Sequence, residues 1–156
     1  MKTLDGGFLS GFLGRYGDRF LGGPMVRRLE RAFADYFKVT HAISMNSATS
    51  CLHSAVSALG IGPGDEVIVS PYTMTATASS VLMNNAIPIF ADIDPDIFSL
   101  DPKKIEEAIT PKTKAILVVH LFGHPAKMDE ITGVAKKHNL KIIEDAAQAP
   151  ASLYKA

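Results

Sequence analysis

Val26, Leu29, Phe33, Tyr36 and Phe37 recur at the spacing that lines one face of a helix, and Pro24 suits its first turn; the pattern predicts an end near Lys38. Short apolar runs follow at His41 to Met45, Val67 to Val69, Ile87 to Ala91, Ala115 to Val119 and Lys141 to Ile143, and predict five buried strands. Helical periods alternate with them. Leu52, Ala55, Val56 and Leu59 form one face closed by Gly60, and Met74, Ala78, Val81 and Leu82 form another. Ile105, Ala108 and Ile109 follow Asp101-Pro102, an N-cap and first-turn pair, while Met128, Ile131 and Ala135 mark a last helix stopping near Asn139. Strands apolar on both faces, alternating with helices, predict an α/β fold: a mostly parallel central sheet with helices on both faces.

Composition narrows the function. Of 156 residues, 47% are hydrophobic and 21% charged, which fits a folded domain and fits disorder, collagen or coiled coil badly. Sixteen basic side chains balance sixteen acidic ones, so no net field gathers nucleic acid or anionic lipid, and small-molecule partners are expected instead. A single cysteine, Cys51, forms no intrachain disulfide, and a cytoplasmic setting is the simplest expectation. No apolar run approaches a bilayer span, and Met1 to Gly23 lacks the core of a signal peptide. Those first 23 residues hold seven of the twelve glycines among Phe8, Leu9, Phe12, Leu13, Phe20 and Leu21. They read as an irregular arm that packs on its own domain or on a second subunit; residues 24–156 read as a separate domain.

In open parallel sheets the ligand crevice lies beyond the carboxyl ends of the strands. The residues that follow the five apolar runs are polar: Asn46 to Ser50, Ser70 to Thr73, Asp92, His120, and Glu144-Asp145. Asn46 to Ser50 joins small residues and hydroxyls to a helix start, where free N–H groups and the dipole receive an anion. An ordinary Asn or Ser N-cap explains the same residues, and local sequence alone favours the cap. Asp145 ends a strand and is followed by small residues; it suits a cation or a protonated ring nitrogen, and equally a helix N-cap.

Other patterns fail. Gly60-Ile61-Gly62-Pro63-Gly64 precedes a strand instead of following one, so it is a turn and not a dinucleotide loop. Asp92, Asp94 and Asp96 open like a calcium loop, but Ile97 takes the glycine place and Lys103 the glutamate place. His120 and His124 are separated by Gly123 and lack a third ligand at a telling spacing, so zinc is not expected. No serine lies in a G-x-S-x-G elbow.

From about Gly22 to Tyr154 the chain resembles the N-terminal part of the DegT-type sugar aminotransferases, pyridoxal-phosphate enzymes of fold type I. The resemblance rests on Leu29-Glu30 with Phe33-Ala34, Asn46-Ser47-Ala48-Thr49, Gly62-Pro63-Gly64-Asp65-Glu66-Val67-Ile68-Val69, Tyr72-Thr73 and Ala76-Thr77-Ala78. It continues through Ile109-Thr110-Pro111-Lys112-Thr113-Lys114-Ala115-Ile116, Val119-His120 and Glu144-Asp145-Ala146-Ala147-Gln148-Ala149. It implies that Ser47, Ala48 and Thr49 hold the phosphate of pyridoxal 5'-phosphate, that Asp145 pairs with the pyridine nitrogen, and that Gln148 orients the ring near its oxygen. Two departures stand out: Ala48 replaces the family's usual glycine, and Met74 stands where an aromatic residue usually covers the ring. A thioether can cover a ring, Tyr72 can supply the stacking, and Met74 is otherwise a core contact.

The resemblance implies transfer of an amino group from an amino acid to a keto-sugar, expected to be nucleotide-linked, or to a keto-cyclitol, by a homodimer. Family members carry the Schiff-base lysine well past the segment matching Glu144 to Ala149, followed by a small domain. Residues 24–156 are therefore expected to form an incomplete cofactor-binding large domain, with no catalytic residue in this chain and no activity as it stands. Lys155 comes too early, and Lys112, Lys114, Lys136, Lys137 and Lys141 read as solvated charge. Two alternatives remain: the sugar dehydratase branch, which replaces the lysine, and a regulatory module that binds a phosphate ligand without chemistry.

Overall fold

A computed structural model describes residues 5–6, 16–17 and 20–155. Phe8 and Phe12, with most of the glycine-rich arm, lie outside the described residues. The chain divides into Met1–Asn46 and Ser47–Ala156. No helix among the described residues is long and apolar enough to cross a membrane.

In the first unit, helix α1 spans Pro24–Phe37 with proline in its first turn and Lys38 in the left-handed conformation at its end. None of its residues is buried; Leu29, Phe33 and Tyr36 are 58%, 52% and 70% exposed. Phe33 and Phe37, one turn apart, stack with ring centres 4.4 Å apart. His41 to Met45, expected to be a strand, pairs with no strand among the described residues. Its Ser44 donates from both N–H and Oγ to Glu30 Oε1 on α1, at 2.8 and 2.9 Å, so a side chain satisfies the segment in place of a sheet.

The second unit runs α2 (Ala48–Ala58), β1 (Glu66–Val69), α3 (Ala76–Leu82), β2 (Ile87–Phe90), α4 (Pro102–Ala108), β3 (Thr113–Val119), a 3-10 turn (Leu121–Gly123), α5 (Met128–Lys137) and β4 (Lys141–Asp145). The sheet has four strands in the order β2-β1-β3-β4, and every pair is parallel. The expected mostly parallel α/β sheet is present with one strand fewer. Gly60 and Gly64, at φ +72° and +86°, make the turn from α2 into β1, and Asp65 Oδ2 accepts the Gly62 N–H at 3.0 Å.

Alternation along the strands separates two cores. Val67, Val69, Leu117, Val119 and Ile143 pack with Leu52 and Val56 of α2 and Val81 of α3. Ile68, Ile116 and Val118 pack with Ile105 of α4 and Ile131 and Ala135 of α5. Helices therefore cover both faces, which is why the inner strands β1 and β3 are apolar throughout instead of alternating. Each fully buried Ile, Leu or Val contributes about 1.5–3 kcal/mol relative to exposure.

β2 is an edge strand. Ile87 N–H donates to Asp65 O and Ala91 N–H to Val69 O, so alternate residues bond inward while Pro88 and Phe90 direct their backbone groups away from β1. Two further expectations change. β4 runs past Ile143 to Asp145, because Glu144 and Asp145 still pair with Val118 and Val119. Met74 precedes α3 instead of lying on its buried face, and is 70% exposed.

Candidate functional site

Because all four strands are parallel, Ser70, Asp92, His120 and Asp145 fall at or just beyond a single edge of the sheet. On β4, Asp145 shares a side with Ile143, two residues earlier, and so belongs to the face on which α2 packs. The end of α2 leads through the Gly60–Asp65 turn into the start of β1. That direction aims its N-terminus toward the edge where the strands finish.

Ser47 is the N-cap of α2: its Oγ accepts the Ser50 N–H at 3.2 Å, and its carbonyl accepts the first intrahelical bond, from Cys51. The amides of Ala48 and Thr49 precede that bond and are left over by helix geometry. Capping and anion binding are thus compatible here, since the cap occupies neither amide. Ala48 is exposed and Thr49 half-buried.

Asp145 is 9% exposed. Its Oδ1 accepts the Ala147 N–H at 3.1 Å, and Oδ2 has no hydrogen-bond partner among the described residues. The expected alternative of a helix cap does not hold, because turns and not a helix follow β4. The residue is largely buried while Oδ2 keeps access to solvent, so that oxygen is open to accept from a cation or a protonated nitrogen. The donor set therefore matches pyridoxal phosphate in kind: uncommitted amides for a phosphate, a carboxylate for a ring nitrogen, both on one face and at one edge. Gln148 is exposed; its Oε1 accepts the Phe122 N–H at 2.8 Å, and its two amide N–H donors have no partner among the described residues. Met74 and Tyr72 lie in the exposed loop after β1.

The ends of β3 and β4 are cross-braced in a way the sequence patterns did not disclose. His120, buried, donates its backbone N–H to Asp145 O at 3.1 Å. Its ring accepts the Ala126 N–H on Nδ1 at 3.1 Å, which places the proton on Nε2, 3.0 Å from Glu144 Oε2. That hydrogen bond is the main cause holding the Glu144 carboxyl below its usual value. Ser152 Oγ donates to Gly123 O at 3.0 Å, a second strap between the loops. The 3-10 turn also presents Phe122, whose ring centre lies 6.4 Å from that of Tyr72 and 6.5 Å from that of Phe98. Both phenylalanines hold left-handed backbone angles, φ +55° and +58°. The sequence marked His120 as a polar residue just past an apolar run and weighed it as a zinc ligand; its pairing with Glu144 carried no local signal.

Three lysines are tuned away from the character of an amine nucleophile. Lys104, Lys127 and Lys155 are each raised above the ordinary lysine value, chiefly by hydrogen bonds to Glu107, Asp94 and Asp129 respectively. Nucleophilic lysines need the opposite shift. Asp94, considered above for calcium, instead accepts the Asp96 N–H at 2.9 Å and pairs with Lys127 Nζ at 2.5 Å.

Residues 15–156 match the model of the DegT/DnrJ/EryC1/StrS aminotransferase family. The chain is 51% identical over 133 residues to a GDP-perosamine synthase of Caulobacter vibrioides, covering 85% of this chain and 36% of that protein. It is 50% identical over 123 residues to an L-glutamine:2-deoxy-scyllo-inosose aminotransferase of Streptomyces kanamyceticus, covering 79% and 29%. A crystal structure of NtdA from Bacillus subtilis with its bound cofactor PMP superposes with a TM-score of 0.82 at 41% identity, covering 85% of this chain and 30% of that one. The chain spans about a third of the length of the curated relatives it matches.

Proposed function

The chain belongs to the DegT/DnrJ/EryC1/StrS aminotransferase family, and on that premise we propose that it supplies the first part of the cofactor-binding domain of a pyridoxal-phosphate aminotransferase. Its acceptor is a nucleotide-linked keto-sugar or a keto-cyclitol; its donor is an amino acid. The observation that carries this reading is Asp145, a buried carboxylate with one oxygen uncommitted, on the face and at the edge toward which α2 directs its first-turn amides.

When bound, pyridoxal phosphate supplies an electron sink for the pair released as the amine's C–H bond breaks. Asp145 holds a proton on the ring nitrogen and so acts electronically, not as a base. The amides of Ala48 and Thr49, with the Thr49 hydroxyl, bind phosphate oxygens at the positive end of α2, and Ser47 takes part as the N-cap that holds this turn, its hydroxyl donating to Ser50 Oγ at 3.1 Å. Gln148 directs its N–H donors to the ring oxygen, and Met74 or Tyr72 covers a ring face. The lysine that carries the cofactor is assigned to a residue outside these 156, and residues 24–156 to the large domain of a cytoplasmic homodimer. By themselves the 156 residues are expected to show no turnover and no selective lysine labelling by borohydride.

Asp145→Asn in the intact enzyme tests the reading. The amide cannot keep the ring nitrogen protonated, so the amine half-reaction should slow at least about a hundredfold, the scale of losing one preorganised electrostatic contact. Stopped-flow rates within a factor of two of the wild type would remove Asp145 from the site.

A further inference from the structure

We propose that His120 is a positioning residue for Asp145: its imidazole, behind the sheet, clamps the carboxyl end of β4 to the end of β3 and thereby sets the direction in which the Asp145 carboxylate projects. The inference rests on the cofactor reading above and assigns a task to a side chain which that reading leaves idle.

The register explains the clamp. Val119 pairs with Asp145, the last rung of the β3–β4 ladder, and beyond it only the His120 N–H to Asp145 O bond continues the pairing. A final rung at an open sheet edge frays unless side chains hold it. Side chains alternate along the strand, so Glu144 projects to the face opposite Asp145. Glu144 is the place to take hold of β4 without entering the site. His120 takes hold there: Nε2–H donates to Glu144 Oε2 at 3.0 Å, while Nδ1 is fixed by the Ala126 N–H at 3.1 Å. Ala126 is fully buried in the core under α4 and α5 with Ile131 and Ile116, so the ring is anchored to packed structure and not to a loose loop. Both ring nitrogens are committed, and neither bond reaches the site. With Glu144 held behind the sheet, rotation of the terminal residues about the strand axis is blocked, and that rotation is the motion that would swing Asp145 away from a ring nitrogen. A buried polar ring with both nitrogens satisfied and no role at the ligand is placed as the groups that orient metal-ligating side chains are, where the loss of such a partner typically costs about 10–100-fold in affinity.

The test is a double-mutant cycle on the 156-residue chain, read as the dissociation constant of pyridoxal phosphate by equilibrium dialysis, at a temperature where circular dichroism shows every variant folded. His120→Asn should weaken binding about tenfold in the wild-type background and less than twofold in the Asp145→Asn background, because there is no carboxylate left to orient. Glu144→Ala, at a half-exposed position that does not threaten folding, should reproduce the His120→Asn loss. Glu144→Gln keeps an acceptor for Nε2–H and should restore affinity to within twofold of wild type. Equal losses in both Asp145 backgrounds, or a Glu144→Ala variant that binds like wild type, would overturn the positioning role while leaving Asp145 in the site. A wild-type chain that binds no better than Asp145→Asn would overturn the cofactor reading itself.

Discussion

Asp94 and Lys127 show how much a single pair governs at the residue scale. The Asp94 carboxyl is held below its ordinary value first by the Lys127 hydrogen bond and then by the Asp96 amide. A group whose folded value is depressed stabilises the fold above its unfolded value, near 3.9, and loses that contribution as pH falls through the lower folded value. Lys127→Met removes the largest cause, so the melting temperature should fall at pH 7 and then decline less steeply than wild type between pH 4 and 2. Parallel melting curves across that range would show that the pair does not couple to folding. At this scale legibility was uneven. Asp145 could be read because a carboxylate ending an apolar run violates the pattern around it. The His120–Glu144 pair could not, since its partners lie 24 positions apart and only strand register joins them.

Elements were legible where burial on both faces leaves an uninterrupted apolar run. β3 is the case in point: Leu117 is fully buried in the core under α2 and α3, and Ile116 in the core under α4 and α5. Leu117→Ala should cost about 2–5 kcal/mol, read from urea unfolding of the chain. A loss under 1 kcal/mol would mean that the surrounding side chains collapse into the space. His41 to Met45 has the same apolar look as the true strands, yet a strand exists only if a neighbour accepts its ladder, and a five-residue pattern carries no information about neighbours. Met74 misled in another way: its spacing to Ala78 is helical, but α3 starts only at Ala76, leaving the thioether in the loop where the site is proposed. The cap at Ser47 was legible from local chemistry; the direction of α2, which gives that cap its significance, comes only from the turn into β1.

Over the whole molecule, apolar surface is the feature that asks for a consequence. α1 has no buried residue and displays Leu29, Phe33 and Tyr36. A displayed stripe of this kind promotes association. Sedimentation of the 156-residue chain should therefore depend on concentration, and Leu29→Glu combined with Phe33→Glu should abolish that dependence; a wild-type chain that sediments as a monomer at every concentration would count against it. The sheet raises a different hazard, because among the described residues its two outer strands each offer an unpaired backbone border to any stray chain. The two borders are unequal. On the β2 side, Pro88 directs away from β1 the position where an N–H would stand, so a strand arriving there meets a missing donor in the middle of a four-residue template. Runaway polymerisation through that border is handicapped by one imino acid. The β4 border, Lys141–Asp145, contains no proline and keeps its full complement of donors, so lateral growth of the sheet is steered to the side that also bears Glu144 and Asp145.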